Sequence, residues 1–247
     1  RDLGSKPKIK LNYEPKWVSG EFGSEPLKYL EGSDTLVHLA SHSTNFPYDT
    51  LENCIYWNVT RTLNLFENAY KAGVRNFFVA GSCFEYGNSA NRYEKIPISA
   101  PLEPLNSYAT SKAMASICLQ NWCREKNCIL QYARIFHVYG EGEDKGRLFP
   151  TLKSKAISGQ DIGLTLGQQI RDFTPVKMVC EKIESVIASE KGEPGKPFLC
   201  NIGSGKPQTL KDFVSKCWQD WNASGRLRFG AFPYRDGEIM RYVPDLS

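Results

Sequence analysis

Asn76-Phe77-Phe78-Val79-Ala80-Gly81-Ser82 is a nearly continuous apolar run that closes on two small residues and a hydroxyl. Such a run has no polar face to give to water, so it predicts a buried strand covered on both sides, as in a parallel sheet. It delivers Ser82 at its carboxyl end. Upstream, Glu52 to Ala72 carries Ile55, Val59, Leu63, Phe66 and Tyr70 at helical spacing, with Gly73 placed to cap the end. Before that helix, Asp34-Thr35-Leu36-Val37-His38-Leu39-Ala40 is a second buried strand. Downstream, Leu105 to Lys126 predicts a helix capped by Asn106 or Ser107. Ile129 to Phe136 and Phe198 to Ile202 read as further strands, and Lys16 to Glu21 as a short one. Strands alternating with helices predict an α/β fold with a doubly wound, Rossmann-like parallel sheet.

After Gly140 the alternation is lost. Residues 1–136 and 175–202 are therefore expected to form the main domain, and residues 137–174 and 203–247 a smaller lobe. In doubly wound sheets ligands collect outside the carboxyl ends of the strands. Ala40, Ser82 and His137 all fall at such ends.

Within the 105–126 helix, Tyr108 and Lys112 stand four residues apart and share a face. A free phenol titrates near pH ~10, and a cation one turn away favours its phenolate. That is the make-up of a proton-transfer pair, although alone it is also what an ordinary helix surface would show.

The chain has 247 residues, 41% hydrophobic and 23% charged, with a net charge of +4. The basic residues do not cluster, so no nucleic-acid partner is expected. No apolar run approaches the ~20 residues of a membrane span, and no membrane partner is expected. The eight cysteines are scattered with no Cys-x-x-Cys, which predicts reduced thiols and a cytoplasmic setting. The three histidines show no metal-ligand spacing, so no metal site is expected.

Taken in order, the motifs resemble the extended short-chain dehydrogenase/reductase family, in its branch of nucleotide-sugar epimerases, dehydratases and reductases. HLAS at 38–41 resembles the cofactor-side strand end. NVTRTLNLFENAYKAGV at 58–74 resembles the Asn-Val-x-Gly-Thr-x-Asn-Leu helix, with Arg61 where glycine is usual. GSCFEYG at 81–87, SYATSK at 107–112, RIFHVYG at 134–140, RDFTPV at 171–176, NIGSGKPQTL at 201–210 and FPYRDGEIMRYVPD at 232–245 follow. The resemblance implies NAD or NADP as cofactor and a nucleotide sugar as substrate. Ser82, Tyr108 and Lys112 would be catalytic: Tyr108 the acid/base, Lys112 the group that lowers its pKa and holds the nicotinamide ribose, Ser82 a hydrogen-bond partner of the sugar oxygen. Glu21, Leu39, Ala40, Ser41 and Asn58 would join Tyr108 and Lys112 around the cofactor. Cys83, Phe84, His137, Arg171 and Arg235 would face the substrate, with the two arginines on its diphosphate. His137 stands where the family has Asn and reads equally as a phosphate donor or a polar loop residue.

Two departures shape the expectation. The Gly-x-x-Gly-x-x-Gly turn that lays a pyrophosphate on a helix N-terminus is absent from residues 1–247, so the chain is expected to lack the first βαβ segment; the family resembled also continues past the Pro-Asp of Pro244-Asp245, so truncation is expected at both ends. Dehydratases of the family carry Asp-Glu after the catalytic Ser/Thr; Cys83 and Phe84 stand there, and Glu85, one place late, should point to the other side of an extended segment. The reading is thus an NAD(P)-dependent nucleotide-sugar epimerase working through a 4-keto intermediate. Its alternatives are an NAD(P)H-dependent 4-keto-sugar nucleotide reductase and a truncated, non-catalytic homologue that binds no dinucleotide. The resemblance also implies a homodimer formed through the helices 52–72 and 108–126, which carry Trp57, Phe66 and Trp122.

Overall fold

A computed structural model describes residues 7, 9–189 and 191–247. Residues 1–6, 8 and 190 of the expected main domain lie outside the described residues. The centre of the fold is a four-stranded sheet. Its strands run in the order β1 (Thr35–His38), β2 (Asn76–Ser82), β3 (Ile129–Ile135) and the Phe198–Ile202 strand. β1 pairs with β2 in parallel, Thr35 opposite Asn76 and His38 opposite Val79. As a seven-residue apolar run should, β2 buries Phe77, Phe78 and Val79 almost completely.

The expected 52–72 helix is one helical run in three parts: α1 (Leu51–Ile55), a π-helical turn over Tyr56–Thr60, and α2 (Arg61–Lys71). Thr50 caps its start by accepting from the Asn53 amide. Gly73 follows its end with φ of +101°. The catalytic-helix candidate is α3 (Ser107–Lys126), and Asn106 is the cap, its side chain accepting from the Ala109 amide at 2.9 Å. Leu65, Phe66, Phe77, Leu119, Trp122 and Leu130 form the core between these helices and the sheet.

Two expectations change here. Lys16–Glu21 is not a strand, and among the described residues none precedes Thr35. Pro15 removes a ladder donor. The segment is instead held by side chains, Trp17 donating to Glu14 and Arg61 reaching Phe22 and Ser24. Phe66 and Trp122, expected to serve a dimer face, are 0% and 8% exposed and belong to the chain's own core. The large apolar residue that α3 leaves in solvent is Ile117, 60% exposed.

The chain divides into two compact units. The first holds the chain up to Glu85, Asn106–Arg134 and Ser185–Cys200; the second holds Tyr86–Leu105, Ile135–Glu184 and Asn201–Ser247. The second unit thus includes 86–105 and 175–184 as well as the segments expected for the smaller lobe. It pairs Val138–Tyr139 with Thr174–Pro175 and Ile162–Leu164 with Leu227–Phe229, both in parallel. Ile170–Arg171 lies between Arg241–Tyr242 and Gln208–Thr209. Its core is aromatic, with Phe173 stacked on Phe213 at 4.0 Å.

Candidate active site

The carboxyl end of β2 and the first turns of α3 meet in the first unit. Tyr108 and Lys112, one helical turn apart, are 8% and 4% exposed. The Ser82 and Ser41 side chains act on the Tyr108 phenol, each pulling its pKa down. Lys112 Nζ donates to the Ala80 carbonyl at 2.7 Å, which fixes the ammonium beside the same strand end. Tyr48 stacks on the Tyr108 ring with centroids 5.9 Å apart, and Phe84 meets it edge-on at 6.5 Å. Three residues predicted to act together are therefore brought together, inside an aromatic slot.

The electrostatics differ from the simple expectation. The Tyr108 phenol is pushed up to about 12, first by burial; the Ser82 and Ser41 hydrogen bonds pull it down, while the charge of Glu85 adds to the rise. Burial also lowers Lys112, with Glu85 opposing it. The phenol is thus held neutral, as a proton donor, rather than poised as a phenolate. His38, at the end of β1, is lowered to about 3 by burial and then by the charge of Lys112. It packs as a neutral ring between Phe22 and Phe66.

Beside this group lies a cleft of about 330 Å³ lined by Ala40, Ser41 and Asn58 together with Phe22, His42, Trp57 and Thr62. The π-helical turn carries Asn58, whose side chain accepts from the His42 amide at 2.7 Å and donates to the His42 carbonyl and to Ser111 Oγ. It thereby ties the 41–42 loop to α3. Such turns recur at functional sites because the extra residue re-aims a side chain. Leu39 is 56% exposed and does not line the cleft. Glu21 lies next to Phe22, its carboxylate 3.2 Å from Arg61 Nη2. The donor set fits one part of a dinucleotide: aromatic faces from Phe22 and Trp57, small Ala40, and hydrogen-bonding Ser41 and Asn58. Sequence reasoning missed Phe22, Trp57, Thr62 and His42; the one visible signal was Arg61 in place of a glycine, and it is the residue that anchors the Glu21–Ser24 turn.

Of the residues expected to face substrate, Cys83 (3% exposed) and Phe84 lie in the turn after Ser82. The other three belong to the second unit. His137 sits against Phe173 and Tyr242 and is held well below the usual imidazole range by burial, then by the charges of Arg171 and Arg147. It is therefore a neutral ring. Arg171 Nη2 donates to Glu238 Oε1 and to the Ile239 carbonyl, both at 2.6 Å. Arg235 is exposed and opens the turn whose Glu238 amide returns to its carbonyl.

A parallel sheet that gathers a serine, a tyrosine and a lysine at its strand ends defines a Rossmann-like protein of the extended short-chain dehydrogenase/reductase class. More narrowly, the chain belongs to the NAD dependent epimerase/dehydratase family, which matches residues 24–203. It is similar to UDP-arabinose 4-epimerase 1 of Arabidopsis thaliana, 26% identical over 245 residues that cover 87% of this chain and 55% of the relative. Among solved structures, a UDP-N-acetylglucosamine 4-epimerase from Methanobrevibacter ruminantium M1 superimposes with a TM-score of 0.82 at 21% identity, covering 92% of this chain and 73% of that one. An NAD-dependent NDP-hexosamine 5,6-dehydratase of tunicamycin biosynthesis gives 0.82 at 23% identity, covering 99% and 78%. At these identities the structural likenesses establish the fold. The chain spans about half the length of the curated relatives it matches. Among the described residues no helix is long and apolar enough to cross a membrane.

Proposed function

We propose that the chain carries the acid–base centre of a nucleotide-sugar 4-epimerase that works through a 4-keto intermediate. The observation that carries this reading is the gathering of Ser82, Tyr108 and Lys112 at the carboxyl end of β2, all buried, with the Lys112 ammonium fixed on the Ala80 carbonyl one turn from Tyr108. Bound NAD would supply the hydride acceptor and return the hydride to the sugar. Tyr108 moves the proton at the sugar oxygen, Ser82 holds that oxygen, and Lys112 keeps positive charge beneath it. Cys83 and Phe84 offer no carboxylate for eliminating water, which argues against a dehydratase. The names of the curated UDP-arabinose 4-epimerases support the same choice.

A second reading, the 4-keto-sugar reductase, is favoured by one feature: a phenol at about 12 is stocked as a donor for a ketone oxygen. Residues 1–136 and 175–202 would serve the cofactor, NAD or NADP, with Ala40, Ser41 and Asn58 on its cleft and Glu21 beside Phe22 at its edge. Residues 137–174 and 203–247 would serve the nucleotide sugar through His137, Arg171 and Arg235. A homodimer is proposed through the helices 52–72 and 108–126, on which Tyr56 and Ile117 are exposed. Eight scattered cysteines with no Cys-x-x-Cys support a cytoplasmic setting.

The test uses UDP-pentoses and UDP-hexoses deuterated at C4, with NAD present. An epimerase yields the C4 epimer with the deuterium retained and no net change in cofactor. A reductase instead consumes reduced cofactor with a 4-keto sugar. Absence of both reactions and of cofactor binding would leave the non-catalytic homologue.

A further inference from the structure

Beneath Ser82 lies a buried charge cluster that the proposed reaction does not use. Glu85 is 0% exposed. Its Oε1 accepts from the Ser82 amide and from the Tyr132 hydroxyl, each at 2.8 Å, and its Oε2 accepts from Arg134 Nε at 2.8 Å. The Tyr132 hydroxyl also lies 3.3 Å from the carbonyl of Lys112, and Arg134 Nη2 lies 3.4 Å from Ser116 Oγ, one turn further along α3. The cluster therefore joins β2, β3 and α3 at the level of Ser82 and Lys112. Gly81 makes room for it: a Cβ there would come within 2.3 Å of Tyr132 and 2.7 Å of Glu85.

The placement follows from local geometry. Cys83–Glu85 is a 3₁₀ turn, in which side chains three apart eclipse, so Glu85 returns over Ser82 instead of pointing away as an extended segment would direct it. A buried ion pair is a costly way to fill volume, since well-packed apolar residues do as well or better. Holding the strand end alone would not require a charge at this point.

We propose that Glu85 is a positioning residue of the Ser82–Tyr108–Lys112 group: clamped by Arg134 and Tyr132, it fixes the Ser82 strand end from below and sets the field in which Tyr108 and Lys112 hold their protons. The inference rests on the acid–base reading above. The groups facing the carboxylate are Tyr108 and Lys112 on α3 and Tyr132 and Arg134 on β3; His38 on β1 faces Lys112, and Cys83 faces Tyr108. The negative charge of Glu85 favours the protonated form of both Tyr108 and Lys112, the state a proton donor starts from.

The experiment uses Glu85→Gln, which keeps the shape and an acceptor for the Ser82 amide while removing the charge. Glu85→Gln/Arg134→Gln carries the same measurement if the single variant leaves Arg134 too poorly paired to fold. Phenolate formation at Tyr108 is followed by carbon-13 tyrosine NMR, the Tyr108 resonance being assigned by its loss in Tyr108→Phe, over the pH range in which the fold is retained. The onset of phenolate should move down by about one pH unit or more, the usual effect of a neighbouring charge. The alkaline limb of kcat should move the same way, with kcat down about tenfold and KM for the nucleotide sugar unchanged. A folded variant whose Tyr108 titrates as in the parent overturns the proposal. The underlying reading is checked separately by hydride transfer in Tyr108→Phe, so its failure is not mistaken for failure at Glu85.

Discussion

Of the buried arginines tied to a glutamate, Arg134 at the sheet end of the first unit and Arg171 in the second unit form pairs that are built differently. Arg134 and Glu85 are 3% and 0% exposed, sealed by Tyr132 and the Ser82 amide. Arg171 is 7% exposed, but Glu238 opposite it is 24% exposed and belongs to a turn through Gly237 with φ of +69°. The first pair is an internal fixture. The second holds a forked cation on the Ile170 and Ile239 carbonyls and on a carboxylate that water already reaches, and under the proposed function a diphosphate would compete with that carboxylate.

This contrast is open to measurement. Arg134→Met should lose about 3–5 kcal/mol of stability in urea unfolding, because it leaves the Glu85 carboxylate buried and uncompensated. Arg171→Met should lose only about 1–2 kcal/mol, since solvent can take over Glu238. Its main effect should be a KM for the nucleotide sugar raised tenfold or more with kcat little changed. Equal stability losses, or a fall in kcat alone at Arg171, would erase the distinction.

A smaller effect, common to the two units, appears with pH. His38 in the first and His137 in the second both have folded pKa values below the ordinary imidazole value. The unfolded chain therefore binds protons that the folded one refuses, and stability present above pH ~6.5 is lost as pH falls, by up to about 1.4 kcal/mol per pH unit for each imidazole. For His38 the loss continues toward the folded value of about 3. Between pH 6.5 and 5, where both rings stay neutral in the folded chain and carboxylates contribute little, His38→Asn and His137→Asn should each flatten the slope by a similar amount. An unchanged slope in both variants would mean that neither ring is kept neutral.

The parts of this molecule that were legible in the sequence are those set by short-range pattern. The 76–82 strand, the Asn106 cap and the Tyr108–Lys112 face depend on periodicity and local chemistry, and they stand where expected. The convergence of Ser82 on Tyr108 followed from the rule that strand carboxyl ends collect function. What escaped depended on long-range partners. Lys16–Glu21 has strand-like residues, yet it is anchored by the Arg61 side chain. Trp122 reads as surplus apolar surface until Phe66 and Phe77 are seen packed on it. Glu85 was misplaced because one 3₁₀ turn replaces two residues of extended chain, and only the backbone shows that.

The central claim is that Tyr108 donates and accepts the proton when hydride moves. Tyr108→Phe keeps the ring between Tyr48 and Phe84 and removes only the hydroxyl. Single-turnover hydride transfer between bound cofactor and a nucleotide sugar, measured in parent and variant, should fall by ~10²–10⁴, about 3–5 kcal/mol of barrier at ~1.36 kcal/mol per decade, with cofactor affinity unchanged. Transfer at the parental rate in Tyr108→Phe would contradict the account.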